Sequence, residues 1–407
     1  MRSLAFAAVL FAATAAQAQV PVRIAFIDPL SGPAAAVTEN ALNHLRVMGE
    51  RLSGPQARYE ITGFDNKLNA QEAIIQAQKA IDAGIRIFIA GNSSAAAGAL
   101  NEFVTKHNER NPQQAVLFLN ISAIDPALTN DKCSPAHFRF DAHADMKMLA
   151  LVKFIATQPQ IKRVYLINQD YSFGQAVRAA ALAMLKTHRP DIEIVGDELH
   201  PLAKINDFSP YVAKIKASNA DSVITGNWGS DLALLLKSAA DANLQTGWYT
   251  YYASGIGSPT AVRQTGLAHR VFAVIEGHSN MPQFNVNGGS DSLDADYRAR
   301  YGGSFNVPRA RLLMDMLHDA VVKAKSAEPK ALAAALSGAS RTTMYGGTAT
   351  MRAADHQVLQ DLYVTSFGPL DGSMKFDEEK TGWGWKTAGM VQAVETALPT
   401  SCRMGNF

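Results

Sequence analysis

The chain has little of what protein chemistry is usually built from. It holds two cysteines, Cys133 and Cys402, too far apart for a C-x-x-C metal or redox motif. The patterns G-x-S-x-G, G-x-x-x-x-G-K-[ST], G-x-G-x-x-G and H-E-x-x-H are all missing. That excludes the familiar nucleophile elbow, phosphate loop, dinucleotide fingerprint and zinc-protease helix. There is no basic run and no interleaving of basic with aromatic residues, and the formal net charge is only +2. Nucleic acid is therefore not the expected partner. Past the N-terminus, no apolar stretch is long enough to read as a bilayer-spanning helix. No cofactor is called for by any motif.

What is present begins with a segment that reads as outside the fold. Met1, Arg2 and Ser3 make a short basic start, residues 4–16 are apolar, and Ala16-Gln17-Ala18 is an A-x-A cleavage site. Residues 1–18 thus read as a secretory signal peptide, with a mature chain starting near Gln19 in the periplasm. No cysteine follows that point to carry a lipid anchor. In an oxidising compartment, Cys133 and Cys402 are expected to form one disulfide tying the C-terminal tail to the body. A length of 407 residues with 47% hydrophobic composition suffices for two cores, hence two lobes. The expected state is a monomer.

The stretch over 85–107 sets the pattern for the rest. Residues 85–90 (I-R-I-F-I-A) read as a buried parallel strand that stops at Gly91. Asn92, Ser93 and Ser94 then make a polar turn, and Leu100, Phe103, Val104 and His107 mark one face of a helix over 95–107. Such a turn caps the helix and presents backbone N–H groups at the positive end of its dipole, a ready site for a carboxylate. The design repeats. Predicted strands over 22–27, 59–64 and 115–119 end in small polar turns that carry Ser31, Asn66, and Asn120 with Ser122.

A second series follows, with strands over 163–168, 192–199, 222–225, 247–252 and 270–276. Its turns carry Tyr171, Trp228 and Ser254 instead. Strand and helix alternate every 30 residues or about that, which predicts an α/β fold with mostly parallel, doubly wound sheets. Ligands in such sheets sit outside the carboxyl ends of the strands. Ser31, Asn92, Ser93, Ser94, Asn120 and Ser122 would gather at one edge as hydroxyls, amides and helix starts. Tyr171 and Trp228 would face them with flat aromatic surfaces suited to an apolar or aromatic group. Arg309 and Arg311 open a predicted helix over 309–325 and face either the cleft or solvent. His137, Asp141, His143 and Asp145 have the residue types of a metal site, but their alternate spacing on a strand crossing between lobes also fits solvent-facing polar positions. A loop over 285–290, antiparallel strands over 347–351 and 362–367, and a loose tail to Cys402 complete the reading.

The order of these pieces resembles a known family. V-R-I-A-F-I-D-P-L-S-G-P (22–33), G-N-S-S-A-A-A-G-A-L (91–100), N-I-S-A-I-D-P-A-L (120–128), N-Q-D-Y-S-F-G (168–174) and D-F-S-P-Y-V-A-K-I-K (207–216) occur in sequence, followed by Y-G-G (345–347) and D-H-Q (355–357). The chain is similar to the periplasmic solute-binding proteins of ABC transporters, branched-chain amino acid type, with the type I periplasmic-binding fold. The resemblance implies two hinged lobes that close over a small-molecule ligand and deliver it to the membrane permease, with no chemistry. Lobe one would comprise 19–140 plus 277–341, and lobe two 141–276 plus 342–407, its tail tied back to lobe one. It also implies that a ligand carboxylate meets the serine turn and the backbone near Ser122. A ligand ammonium would meet an acidic side chain where this chain has Ser254, and a second hydroxyl where it has Ile124. Both departures point to a carboxylate or amide without a free amine, unless Asp170, Asp231 or Glu276 supplies the missing charge. A receptor-linked sensing module would share these features; a secreted two-lobed enzyme would need a nucleophile–base pair or metal set.

Overall fold

The structure, a computed structural model, describes residues 19–282, 284 and 290–407. The expected signal peptide over 1–18 and most of the expected loop over 285–290 lie outside the described residues. The first sheet takes β1 (Val20–Asp28), β2 (Ala57–Asp65), β3 (Ile87–Ala90), β4 (Leu117–Asn120) and β5 (His137–Arg139) in the order β2-β1-β3-β4-β5, all parallel. Alternate residues of one strand serve two cores. Val22, Ile24 and Phe26 pack with helix α1 (Ala35–Leu52), whereas Ala25 and Ile27 pack with α2 (Ala70–Asp82) and α3 (Ser94–Arg110). This is why β1 and β3 read as nearly continuous apolar runs: helices cover both faces.

The chain then crosses to a second lobe of the same design. Its helices are α4 (Ala144–Ala156), α5 (Ser172–His188), α6 (Ser209–Ala217), α7 (Gly229–Asp241) and α8 (Ser258–Thr265). Its strands β6 (Arg163–Gln169), β7 (Glu193–His200), β8 (Ser222–Thr225), β9 (Gly247–Thr250) and β10 (Val271–Ile275) run parallel to one another. Again one strand feeds two cores, with Val164 and Leu166 on the α4–α5 side and Tyr165 and Ile167 on the α6–α8 side.

After β10 the chain returns to the first lobe through α9 (Ser290–Tyr301), α10 (Pro308–Ala324) and α11 (Pro329–Leu336), then enters a ribbon of β11 (Ser340–Thr342), β12 (Thr348–Met351) and β13 (Val358–Leu359). The ribbon moves one expected boundary. Met344, Tyr345, Ala349, Met351 and Val358 share a core with Val22 and Phe26, so the chain crosses to the second lobe between Val358 and Leu362, not at 341. The expected loose tail is also corrected. β14 (Leu362–Pro369) pairs antiparallel with β10, and β15 (Trp383–Val391) adds an antiparallel edge strand, followed by a short α12 (Ala393–Thr396). The second sheet therefore runs β15-β14-β10-β9-β8-β6-β7. The tail is tied to the first lobe by the Cys133–Cys402 disulfide.

Candidate ligand-binding site

Strand carboxyl ends of the two lobes face each other, and their turns enclose a cleft of about 740 Å³. On the first lobe, Ser93 caps α3 by accepting from Ala96 N at 3.3 Å. Gly91 and Asn92 do not offer their N–H groups outward. Both donate inward to the carboxylate of Asp28 at the end of β1, at 3.1 and 3.2 Å, and Asn92 Nδ2 adds a third bond at 2.7 Å. Burial pushes the Asp28 carboxyl up to about 7 against those three donors. A Cβ at Gly91 would lie 2.4 Å from Ser122 N, so the turns after β3 and β4 touch backbone to backbone.

Eight expected residues line the cleft: Asn92, Ser93, Ser94, Ser122, Tyr171, Trp228, Ser254 and Arg309. Two do not. Asn120 is fully buried, with Oδ1 accepting from Ser122 N at 3.2 Å and Ala123 N at 2.7 Å, and Nδ2 donating to Ala123 O at 2.8 Å. It shapes the turn and does not reach the ligand space. Ser31 is exposed, with its hydroxyl on the Asp65 carboxylate.

The second lobe supplies the aromatic wall. Tyr171 and Trp228 stand at the starts of α5 and α7, and Trp228 Nε1 donates to the Tyr171 hydroxyl at 2.9 Å. Burial raises the Tyr171 phenol, so it stays a neutral hydroxyl at ordinary pH. Gly229, at φ +57°, brings the start of α7 against Val37 of the first lobe. Val37, Ile124, Phe173, Ile256 and Val307 make much of the remaining lining apolar.

The rear of the cleft is charged. Arg309, in the first turn of α10, donates from Nε to Ser122 Oγ at 3.0 Å, and this is its one hydrogen bond among the described residues. Behind it, its guanidinium lies 3.7 Å from Asp141 and 3.5 Å from Glu276. Against the opposing effect of burial, those two carboxylates hold Arg309 charged. Lys147 completes the group, 2.8 Å from Asp141 and 3.2 Å from Glu276. Sequence reasoning missed Lys147, Asn306 and Tyr252. For Lys147 a signal existed, a cation set between Met146 and Met148 on the buried side of a mostly apolar helix.

The acids expected as alternatives for a ligand ammonium are engaged elsewhere. Asp231 is buried on Gln169 Nε2 and Ala203 N, Asp170 is exposed beside Gln175, and Glu276 is paired as above. His137 and His143 do not gather into a metal set, and, with Asp141, they are buried and not solvent-facing. His137 contacts Asn120, and His143 caps α4 by accepting from Met146 N. Among the described residues, no group of three or more potential metal ligands occurs.

Two doubly wound lobes joined by crossings at 140–141, 276–277 and 358–362, with a cleft between their strand ends, define a hinged solute-binding protein. A family described as periplasmic binding protein matches residues 21–371, and the chain belongs to it. The Leu/Ile/Val-binding protein homolog 4 of Brucella melitensis biotype 1 is 33% identical over 368 residues, covering 87% of this chain and 86% of the relative. The leucine-, isoleucine-, valine-, threonine- and alanine-binding protein of Brucella ovis, in a closed conformation, superposes with a TM-score of 0.81 at 29% identity, covering 95% of this chain and 99% of that one. A solute-binding protein of an ABC transporter from R. palustris in complex with benzoate superposes with a TM-score of 0.77 at 16% identity, over 94% and 99% of the two chains.

Proposed function

We propose that this chain is the periplasmic substrate-binding component of an ABC importer. Its first 18 residues serve as a cleaved signal peptide, and it acts as a monomer that hands its solute to the membrane permease without chemical change. Its solute is a small carboxylate with an apolar or aromatic body and no free amine. One observation carries the ligand class: among the described residues, Arg309 is the only charged side chain lining the cleft. A carboxylate there gains charge-assisted hydrogen bonds from the guanidinium and from hydroxyls of Ser93, Ser94 and Ser122. An ammonium there meets no unpaired acid among those lining residues, and burying it uncompensated costs several kcal/mol. The relatives' names point to branched-chain amino acids; the charge set of this cleft favours their deaminated counterparts.

A thermal-shift screen of the mature protein tests this. The panel holds leucine, isoleucine, valine and phenylalanine, their 2-oxo and 2-hydroxy acids, benzoate, and short amides. A ligand at about 100-fold over its Kd stabilises the fold by about 2.7 kcal/mol, so hits should stand clear of the baseline. Hits among the amine-free acids are expected. Hits confined to the amino acids would overturn the ligand class.

A further inference from the structure

Lys147 lies beyond the lining of the cleft, yet it pairs with the two acids that stand behind Arg309 at its rear. The side chain is only 1% exposed. Its ammonium forms an ion pair with Asp141 Oδ1 at 2.8 Å, a hydrogen bond to Glu276 Oε1 at 3.2 Å, and stands 4.9 Å from the centre of the Tyr252 ring. Two carboxylates and an aromatic face are the set of groups that stabilises a buried primary ammonium. The cage also borders the cleft directly. Tyr252 lines the cleft, and its hydroxyl donates to Asp141 Oδ2 at 3.1 Å. Arg309 lines it too, and contacts the remaining oxygens of the same two acids.

The group sets two carboxylates against two cations. With Lys147 in place the cluster is balanced, and an incoming ammonium meets Arg309 with no surplus negative charge behind it. Without Lys147 one carboxylate charge would be left over at the rear of the cleft. Asp141 Oδ1, which has the Lys147 charge nearby but no aligned hydrogen bond, would then be open to a new donor.

We propose that Lys147 is a specificity-determining residue. Its ammonium is a resident substitute for a ligand ammonium, and by filling the Asp141–Glu276–Tyr252 cage it restricts the cleft to acids that bring no amine. This deepens the carboxylate reading of the cleft and rests on it. The residue acts through the two acids and never touches the ligand, so its signature is a change in preference and not merely a loss of affinity.

The test is calorimetric titration of the mature protein with matched pairs: leucine against 4-methyl-2-oxopentanoate and 2-hydroxy-4-methylpentanoate, and phenylalanine against phenylpyruvate. The wild type should bind the amine-free member of each pair at least 30-fold more tightly. Lys147→Met should cut that ratio at least tenfold through a gain by the amino acid, and Lys147→Arg, which keeps the cation, should restore the preference relative to it. Where Lys147→Met fails to fold, Lys147→Gln replaces it, since its amide still donates to both carboxylates. A folded variant with the wild-type ratio would overturn the role of Lys147 and leave the carboxylate reading intact. A wild type that prefers the amino acids, or binds no member of the panel, would overturn both.

Discussion

Asp28 is the residue on which the proposed carboxylate-binding turn is mounted, and burial works against its charge. It raises the carboxyl from 3.8 to about 7 although Gly91 and Asn92 donate three hydrogen bonds to it. A raised carboxyl contributes stability that is fully present below the unfolded value near 3.8 and is lost as pH rises through about 7. Asp28→Asn cannot ionise and keeps an acceptor for the same amides. Its stability relative to wild type, measured by urea melts, should therefore be higher near pH 8 than near pH 5. The gain should be roughly 1.4 kcal/mol for each pH unit between 5 and the folded value near 7. The same negative charge lies behind the serine turn, so carboxylate affinity should fall across that pH range in the wild type and fall less in the variant. Parallel curves for both quantities would show that Asp28 is not the titrating group.

At the scale of elements, the proposed carboxylate site depends on how closely two strand-end turns approach. Gly91 is the point of contact, with a Cβ there falling 2.4 Å from Ser122 N and 3.0 Å from Ala123 N. Both obstacles are backbone, so neither can swing aside. Gly91→Ala should push the turns after β3 and β4 apart, lowering the melting temperature and weakening carboxylate binding tenfold or more by titration; unchanged affinity would mean that the Ser122 turn is not part of the site. Sequence alone made these turns visible because each follows a wholly buried apolar run, and buried strands read clearly. It could not separate Ser31 and Asn120 from true lining residues, because capping, turn-forming and ligand contact all favour the same small polar side chains. β15 escaped because Gly384, Lys386 and Gly389 interrupt its apolar pattern. The allegiance of the β11–β13 ribbon was illegible, since short alternating strands do not say which core they cover. The Lys147 cage draws its acids from both sides of a hinge, at 141 and 276, and no local pattern links them.

At the scale of the whole molecule, the lobes meet across the cleft: the Tyr252 hydroxyl, which donates to Asp141, also lies 3.3 Å from Ser122 O, and a Cβ at Gly229 would meet Val37 at 3.7 Å. Two of the three crossings, at 140–141 and 358–362, are fastened to one another by Gln357, which accepts from Arg139 Nε at 2.7 Å and donates to Asp141 O at 2.8 Å. Closure can then proceed as rotation about a stiff, hydrogen-bonded axis, and the Cys133–Cys402 disulfide has to be placed relative to that axis. Thr400 Oγ1 donates to Thr129 O at 2.8 Å, and Thr129 Oγ1 accepts from Arg139, so the tail that carries the bridge is bonded next to the crossing at 140–141. A link at the axis does not have to lengthen when the lobes part. It does close a loop with a sequence separation of 269 residues, which restricts the unfolded chain strongly. The double variant Cys133→Ser, Cys402→Ser should therefore lose about 2–4 kcal/mol of stability in denaturant melts. Its ligand affinity, and the decrease in radius of gyration on ligand addition seen by X-ray scattering, should match the wild type. A variant that keeps its stability but changes in affinity or in the amplitude of closure would place the bridge in the path of the motion instead of at its pivot.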